Sequence, residues 1–134
     1  MAENRGVRLF NPATLHKPTG YTHIAEVNSG RLVFISGQVA MDIDGNIVGV
    51  GDFRAQAVQV FENLKAALES VGGDFSHVVK LTYYIVEKNA LPIVREVRNL
   101  YINVDLPPAS TAVYVSELAR ADFLLEIEAT AAIP

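Results

Sequence analysis

The strongest constraint on this chain lies near its C-terminus, in Leu106-Pro-Pro-Ala-Ser-Thr-Ala-Val-Tyr-Val-Ser-Glu-Leu-Ala-Arg-Ala-Asp-Phe-Leu-Leu-Glu-Ile-Glu-Ala-Thr-Ala131. Pro107 and Pro108 can neither continue a helix nor donate to a central ladder, so they punctuate the chain. The β-branched run from Thr111 to Leu118 predicts one strand, and Phe123 to Ala131 predicts a second. The residues between, Glu117 to Ala121, have the length of a longer hairpin loop. In the second strand Glu126 and Glu128 share a face, because side chains alternate, and their carboxylates stand roughly 6.5–7 Å apart. Leu125, Ile127 and Ala129 take the opposite face. Two acids framed this way are either a solvated sheet face or a site.

The rest of the chain sets the frame. A length of 134 residues suits one domain spanning residues 1–134, long enough to bury a core. Half of the residues are hydrophobic and 19% charged, which argues for compact packing over disorder. With no cysteine, disulfides, thiolate metal sites and a cysteine nucleophile are excluded. A net charge of −4 leaves no basic footprint for nucleic acid. No apolar run approaches the roughly 20 residues that cross a bilayer. The first residues also lack the apolar core of a signal peptide, so the expected location is cytoplasmic.

Met1 to Gly20 has no clean period and reads as an irregular arm closed by Tyr21. His16 and His23 lie close together but lack a third ligand, so no metal site is expected there. Thr22 to Val27, the turn Asn28-Ser29-Gly30 and Arg31 to Ser36 predict a hairpin. The run Leu32-Val33-Phe34-Ile35 suggests a strand covered on both faces. After it comes Ser36-Gly37-Gln38, where Gly37 either lets backbone approach a ligand or forms a bulge. Asp44-Gly45 predicts another hairpin turn. The string Asp42 to Asn46 is not a calcium loop, since its Gly is misplaced and position twelve is Phe53.

Asp52 is positioned to cap a helix whose apolar stripe is Ala57, Phe61, Leu64, Leu68 and Val71, stopped by Gly72-Gly73. Val78 to Val86 predicts a strand with Val79, Leu81, Tyr83 and Ile85 on one side and Lys80, Thr82 and Tyr84 on the other. Asp74, Ser76 and His77 are too close in sequence to form a catalytic relay. A second helix is expected from about Ala90 to Asn103, burying Ile93, Val97, Leu100 and Tyr101 and leaving Arg95 and Arg98 off that stripe. Arg95 there is either a solvated residue paired with Glu87 or Glu96, or a site residue. This order of elements predicts an α+β fold, a sheet with two helices packed on one face. Leu124 is expected on its open face, and such a face seeks a partner.

Pro108-Ala109-Ser110-Thr111, followed by Val115, Leu118 and Glu126-Ile127-Glu128, resembles the C-terminal signature of the RidA/YjgF family, also called the L-PSP endoribonuclease family. Tyr21 after Gly20, Ile35-Ser-Gly-Gln38, Gln56 with Leu64, Lys80-Leu-Thr82 and the helix from Arg95 to Tyr101 fall in the family's order too. The resemblance implies the chorismate-mutase-like fold and a homotrimer with small-molecule clefts between subunits. It implies a 2-iminobutanoate/2-iminopropanoate deaminase-like hydrolase, which turns reactive enamines and imines into a 2-oxo acid and ammonia. Neither it nor the residues call for a metal or a cofactor. Glu126 matches the family's acidic catalytic position, while Tyr21, Gly37, Arg95, Ser110 and Thr111 fall on substrate-binding positions. Imine-hydrolysing members carry an Arg where this chain has Ser110, and Arg95 is the candidate replacement. A non-enzymatic trimeric binder is the alternative that this departure favours. An RNA-cleaving enzyme is the other, against which the acidic charge counts.

Overall fold

The computed structural model describes residues 6–134. In chain order it forms β1 (Val7–Phe10), β2 (Ile24–Val27), β3 (Arg31–Gln38), α1 (Phe53–Ser70), a 3₁₀ turn (Phe75–His77), β4 (Val78–Ile85), α2 (Leu91–Arg98), β5 (Ala109–Tyr114) and β6 (Leu125–Ile133). Strands β3, β6, β4 and β5 make a four-stranded sheet in that order, and β1 and β2 pair as a separate ribbon. Both helices contribute to the core on one face of the sheet, where Phe61, Leu64, Leu68, Val94 and Val97 meet Leu81, Ile85, Leu125 and Ile127. This is the expected α+β architecture. None of the helices among the described residues is long and apolar enough to cross a membrane.

α1 follows its sequence signals closely. The Asp52 side chain accepts from the Ala55 N–H at 3.1 Å and caps the first turn. At the other end Gly72, at φ +78°, gives its N–H to Glu69 O, and Gly73 gives its N–H to Leu68 O. That is the Schellman pattern, which satisfies carbonyls the helix leaves unpaired. Gln56, fully buried, donates to Gly49 O and Asp122 O and accepts from Leu124 N, so α1 anchors the entry to β6.

Strand pairing departs from the local signals. β5 and β6 do not form a hairpin: β4 lies between them, parallel to β5 and antiparallel to β6. β2 and β3 do not pair either, since β2 pairs with β1 and β3 with β6. The supposed irregular arm thus supplies a strand. Turn residues mark where the chain reverses, but the partner of a strand depends on distant segments. Around Asp44-Gly45 the only pairing is a single bridge, Met41 with Ile47. Asp42 Oδ1 accepts there from the N–H groups of Asp44 and Asn46.

Burial brings further corrections. In the run 32–35 only Val33 and Ile35 face the core, whereas Leu32 and Phe34 are 55% and 76% exposed on the open face. Leu124, expected on that face, packs against the core instead. α2 ends at Arg98, and Leu100 and Tyr101 bond back three residues to Val97 O and Arg98 O. This tighter turn shifts the helical phase, so Leu100 becomes exposed while Ile102 is buried. Arg98, expected off the buried stripe, is itself buried.

Candidate functional site

The predicted site residues fall into two groups. The first lies on the open face of the sheet, opposite the helices. Alternation along β6 puts Leu125, Ile127 and Ala129 in the core and leaves Glu126 half-buried and Glu128 exposed on the other side. Beside them, β3 carries a bulge: Ile35 pairs with Ala129 but Gln38 with Ile127, so one extra residue is accommodated around Ser36-Gly37. A Cβ built on Gly37 would lie 2.0 Å from Glu126 Oε2. Gly37 is therefore both things the sequence allowed, part of a bulge and the point where backbone and carboxylate approach. Glu126 makes no side-chain hydrogen bond or ion pair among the described residues.

Its neighbour is differently occupied. Glu128 Oε1 accepts from the Tyr84 hydroxyl at 3.0 Å, and this bond raises the Tyr84 pKa. Across the ladder, Glu128, Thr82 and Thr111 stand in line. Lys80 Nζ donates to Thr111 Oγ1 at 2.7 Å. A hollow of about 350 Å³ runs between Phe34, Ser36, Lys80, Thr82, Glu128 and Thr130. A face with one free acid, one bonded acid and one lysine can take and return a proton beside a polar ligand.

The second group sits at the β5 edge on the helix side. Ser110 shares a ladder position with the core residue Leu81, so it points away from the open face. Thr22 donates its backbone N–H to Pro108 O and its hydroxyl to Pro107 O, and bridges to Ala109. This fastens Gly20-Tyr21-Thr22 to the start of β5. The Tyr21 hydroxyl meets His16 Nε2 at 2.9 Å. His23 Nε2 bonds His16 O, and its ring stands edge-on to Tyr21. The two histidines orient the tyrosine, and no group of His, Asp and Glu suited to a metal ion occurs among the described residues. Tyr21 borders a cleft of about 490 Å³ with Leu15, His16, Gly20, Leu106 and Pro107. From α2, Arg95 and Arg98 both reach toward Gly20. Arg95 pairs with neither Glu87 nor Glu96 among the described residues, and Glu96 bonds Arg54 instead.

Thr111 thus joins Glu126 and Gly37 on the open face, while Tyr21, Ser110 and Arg95 gather on the other side of the sheet. Within one protomer the groups do not meet. A separate cavity of about 540 Å³, bordered by Val7, Phe75, Val79 and Tyr101, contains none of these residues. Asp74 and His77 cap the 3₁₀ turn: Asp74 accepts from Ser76, and His77 Nδ1 accepts from the Asp74 N–H. Sequence reasoning missed Lys80, His16, Arg98 and Tyr83. The last had a readable signal, since alternation put a tyrosine on the core face, where a hydroxyl needs a partner.

Comparison with known proteins places this geometry. The family model described as Endoribonuclease L-PSP matches residues 13–133. Protein DfrA of Myxococcus xanthus is 40% identical over 111 residues, 83% of each chain. A protein of Dermatophagoides farinae named 2-iminobutanoate/2-iminopropanoate deaminase is 32% identical over 127 residues, 94% of this chain and 96% of that one. Among solved structures, YyfB of Yersinia pestis, described as a conserved Rid-family protein of unknown function, superposes with a TM-score of 0.84 at 35% identity. That match covers 96% of this chain and 99% of the other. The open acid beside a glycine bulge, the fold that presents it and these relatives agree: the chain belongs to the RidA/YjgF, or endoribonuclease L-PSP, family.

Proposed function

We propose that the protein hydrolyses reactive imines and their enamine tautomers to a 2-oxo acid and ammonia. The observation that carries this reading is the Glu126 carboxylate, unpartnered and set against the Gly37 backbone on an open sheet face. A relative named for this reaction supports it. In the step, water oxygen bonds to the imine carbon as the C=N electron pair moves to nitrogen. Glu126 takes a proton from that water and delivers it to the nitrogen. Glu126 then moves the carbinol O–H proton to the amine nitrogen, the C–N bond breaks with its electron pair leaving on ammonia, and the O–H electron pair forms the carbonyl of the 2-oxo acid. Only proton transfers are asked of the protein, and a positioned general base contributes typically 10²–10⁴-fold.

The reading includes a homotrimer. Glu126 and Gly37 stand on one side of the sheet, and Tyr21, Ser110 and Arg95 on the other, so a complete cleft needs the open face of one copy and the β5 edge of the next. The exposed Leu32 and Phe34 on that face are apolar surface that a second copy would cover. A second reading, a trimeric binder without catalysis, is favoured by Ser110, which lacks the cation that would grip a carboxylate.

The test is ammonia release from imines generated in situ from amino acids. The wild type should accelerate it, and Glu126→Gln should lose about 10²–10⁴-fold in rate with an unchanged circular dichroism spectrum. Full turnover by the variant would make Glu126 structural. An inactive wild type that still binds 2-oxo acids would leave the binder.

A further inference from the structure

Arg98 is 8% exposed, yet every group it bonds is neutral. Its Nη1 donates to Gly20 O at 2.7 Å, while Nε and Nη2 donate to Asn99 Oδ1 at 3.2 and 3.0 Å. No carboxylate pairs with it among the described residues. Arg95, one turn earlier on α2, is half-buried and makes no side-chain hydrogen bond or ion pair among them. The two guanidinium groups converge. A Cβ built on Gly20 would meet Arg98 Nη2 and Nη1 at 3.3 and 3.4 Å and Arg95 Nε at 3.8 Å.

Beneath α2, β4 contributes Tyr83. It is 3% exposed, and its hydroxyl, beside the Arg98 guanidinium, has no acceptor for its proton among the described residues. Burial pushes the phenol up to about 12, against the opposing pull of the Arg98 and Arg95 charges, so it keeps its proton and remains a donor. A buried cation without a counter-charge and a buried donor without an acceptor are each costly. Both deficits lie at the same place, and one anion would relieve both.

We propose that Arg95, Arg98 and the Tyr83 hydroxyl form an anion seat beside Gly20-Tyr21 that takes the carboxylate of a small organic acid. Guanidinium N–H groups match a planar carboxylate fork to fork, and the phenol supplies a further donor to its remaining lone pairs. Arg95, the more exposed of the three, forms the mouth, and Gly20 leaves open the space that a Cβ would crowd. The seat rests on the reading that the substrate is an acid, and it puts the charge missing at Ser110 on α2 instead.

Titration calorimetry on the intact protein with 2-oxobutanoate, its neutral amide 2-oxobutanamide and inorganic phosphate tests the seat. The acid should bind at least about tenfold more tightly than the amide. Arg95→Gln should weaken it by about tenfold to a hundredfold. Tyr83→Phe separates a binding role from a structural one. Removing an unpartnered buried hydroxyl should raise the melting temperature without ligand, yet weaken 2-oxobutanoate severalfold. Unchanged affinity in Tyr83→Phe and Arg95→Gln, equal affinity for acid and amide, no binding of the acid, or preference for phosphate would overturn the proposal. Because the readout is binding, an inactive wild type that shows this pattern keeps the seat and loses only the deaminase reading. An active wild type whose Arg95→Gln and Tyr83→Phe variants keep its affinity loses only the seat.

Discussion

The two faces of the sheet contrast in how their charges are compensated. On the open face the acids stand near donors: Tyr84 bonds Glu128, and Lys80 lies close enough to bond Thr111, leaving Glu126 alone unbonded. On the helix side the imbalance has the opposite sign, with two arginines and a phenol around Gly20 and no carboxylate bonded to either arginine among the described residues. A free base on the open sheet face suits proton transfer, because water and a polar ligand can reach it. Cations that a helix holds half-buried or buried suit ligand binding, because interactions there are screened less by water. The proposed chemistry divides between the faces accordingly, turnover on one and affinity on the other.

The largest effect that would sharpen this division is at Gly37. A methyl group there would meet the Glu126 carboxylate, which must swing away. Gly37→Ala should therefore lower kcat by about 10²-fold, the scale of a misplaced catalytic group, and leave KM nearly unchanged. An effect on KM alone would show that the face binds rather than reacts. On the helix side the expectation is reversed. Arg95→Ala should raise KM for carboxylate substrates by about tenfold to a hundredfold with kcat little altered, and Ser110→Arg in that background should restore part of the loss. No rescue would mean that Ser110 and Arg95 do not serve the same ligand group.

The smallest effect concerns pH. Tyr83 and Tyr101 are both raised to about 12, by burial first and, for Tyr101, also by its bond to the Glu62 carboxylate. A raised phenol favours the folded state in its protonated form. That contribution is complete below the ordinary tyrosine value near 10 and is lost as pH rises toward 12. The melting temperature should fall across this range, and the fall should shrink in Tyr83→Phe. In Tyr84→Phe, on the open face, the part of the fall that Tyr83 and Tyr101 supply should persist.

The sequence made one side of this comparison legible and the other only partly so. Glu126, Glu128 and Gly37 could be read because a strand alternates strictly and a glycine inside a strand run marks a bulge or a close approach. α1 was equally legible, since Asp52 and Gly72-Gly73 carry their capping roles locally. The helix-side corner assembles Gly20, Tyr83, Arg95 and Arg98 from three separate elements, and no local pattern links them. Arg98 was misread because the predicted stripe ran through Leu100 and Tyr101, which lie past the end of α2, whereas within the helix Val94, Val97 and Arg98 share the buried face. The insertion of β4 between β5 and β6 was invisible for a related reason: the loop from Glu117 to Ala121 fits a hairpin, but parallel pairing with β4 is decided by the packing of α2 across the sheet.

The central claim is that the base of one copy works with the anion-binding corner of another. Mixing subunits tests it directly. Glu126→Gln and Arg95→Ala, each nearly inactive alone in ammonia release at low substrate, are coexpressed with different tags and purified as a mixed assembly. Light scattering should give three times 14.6 kDa, and the mixture should recover activity, because some clefts combine an intact Glu126 with an intact Arg95. A mixed trimer no more active than its parents, or a monomer of full wild-type activity, would contradict the account.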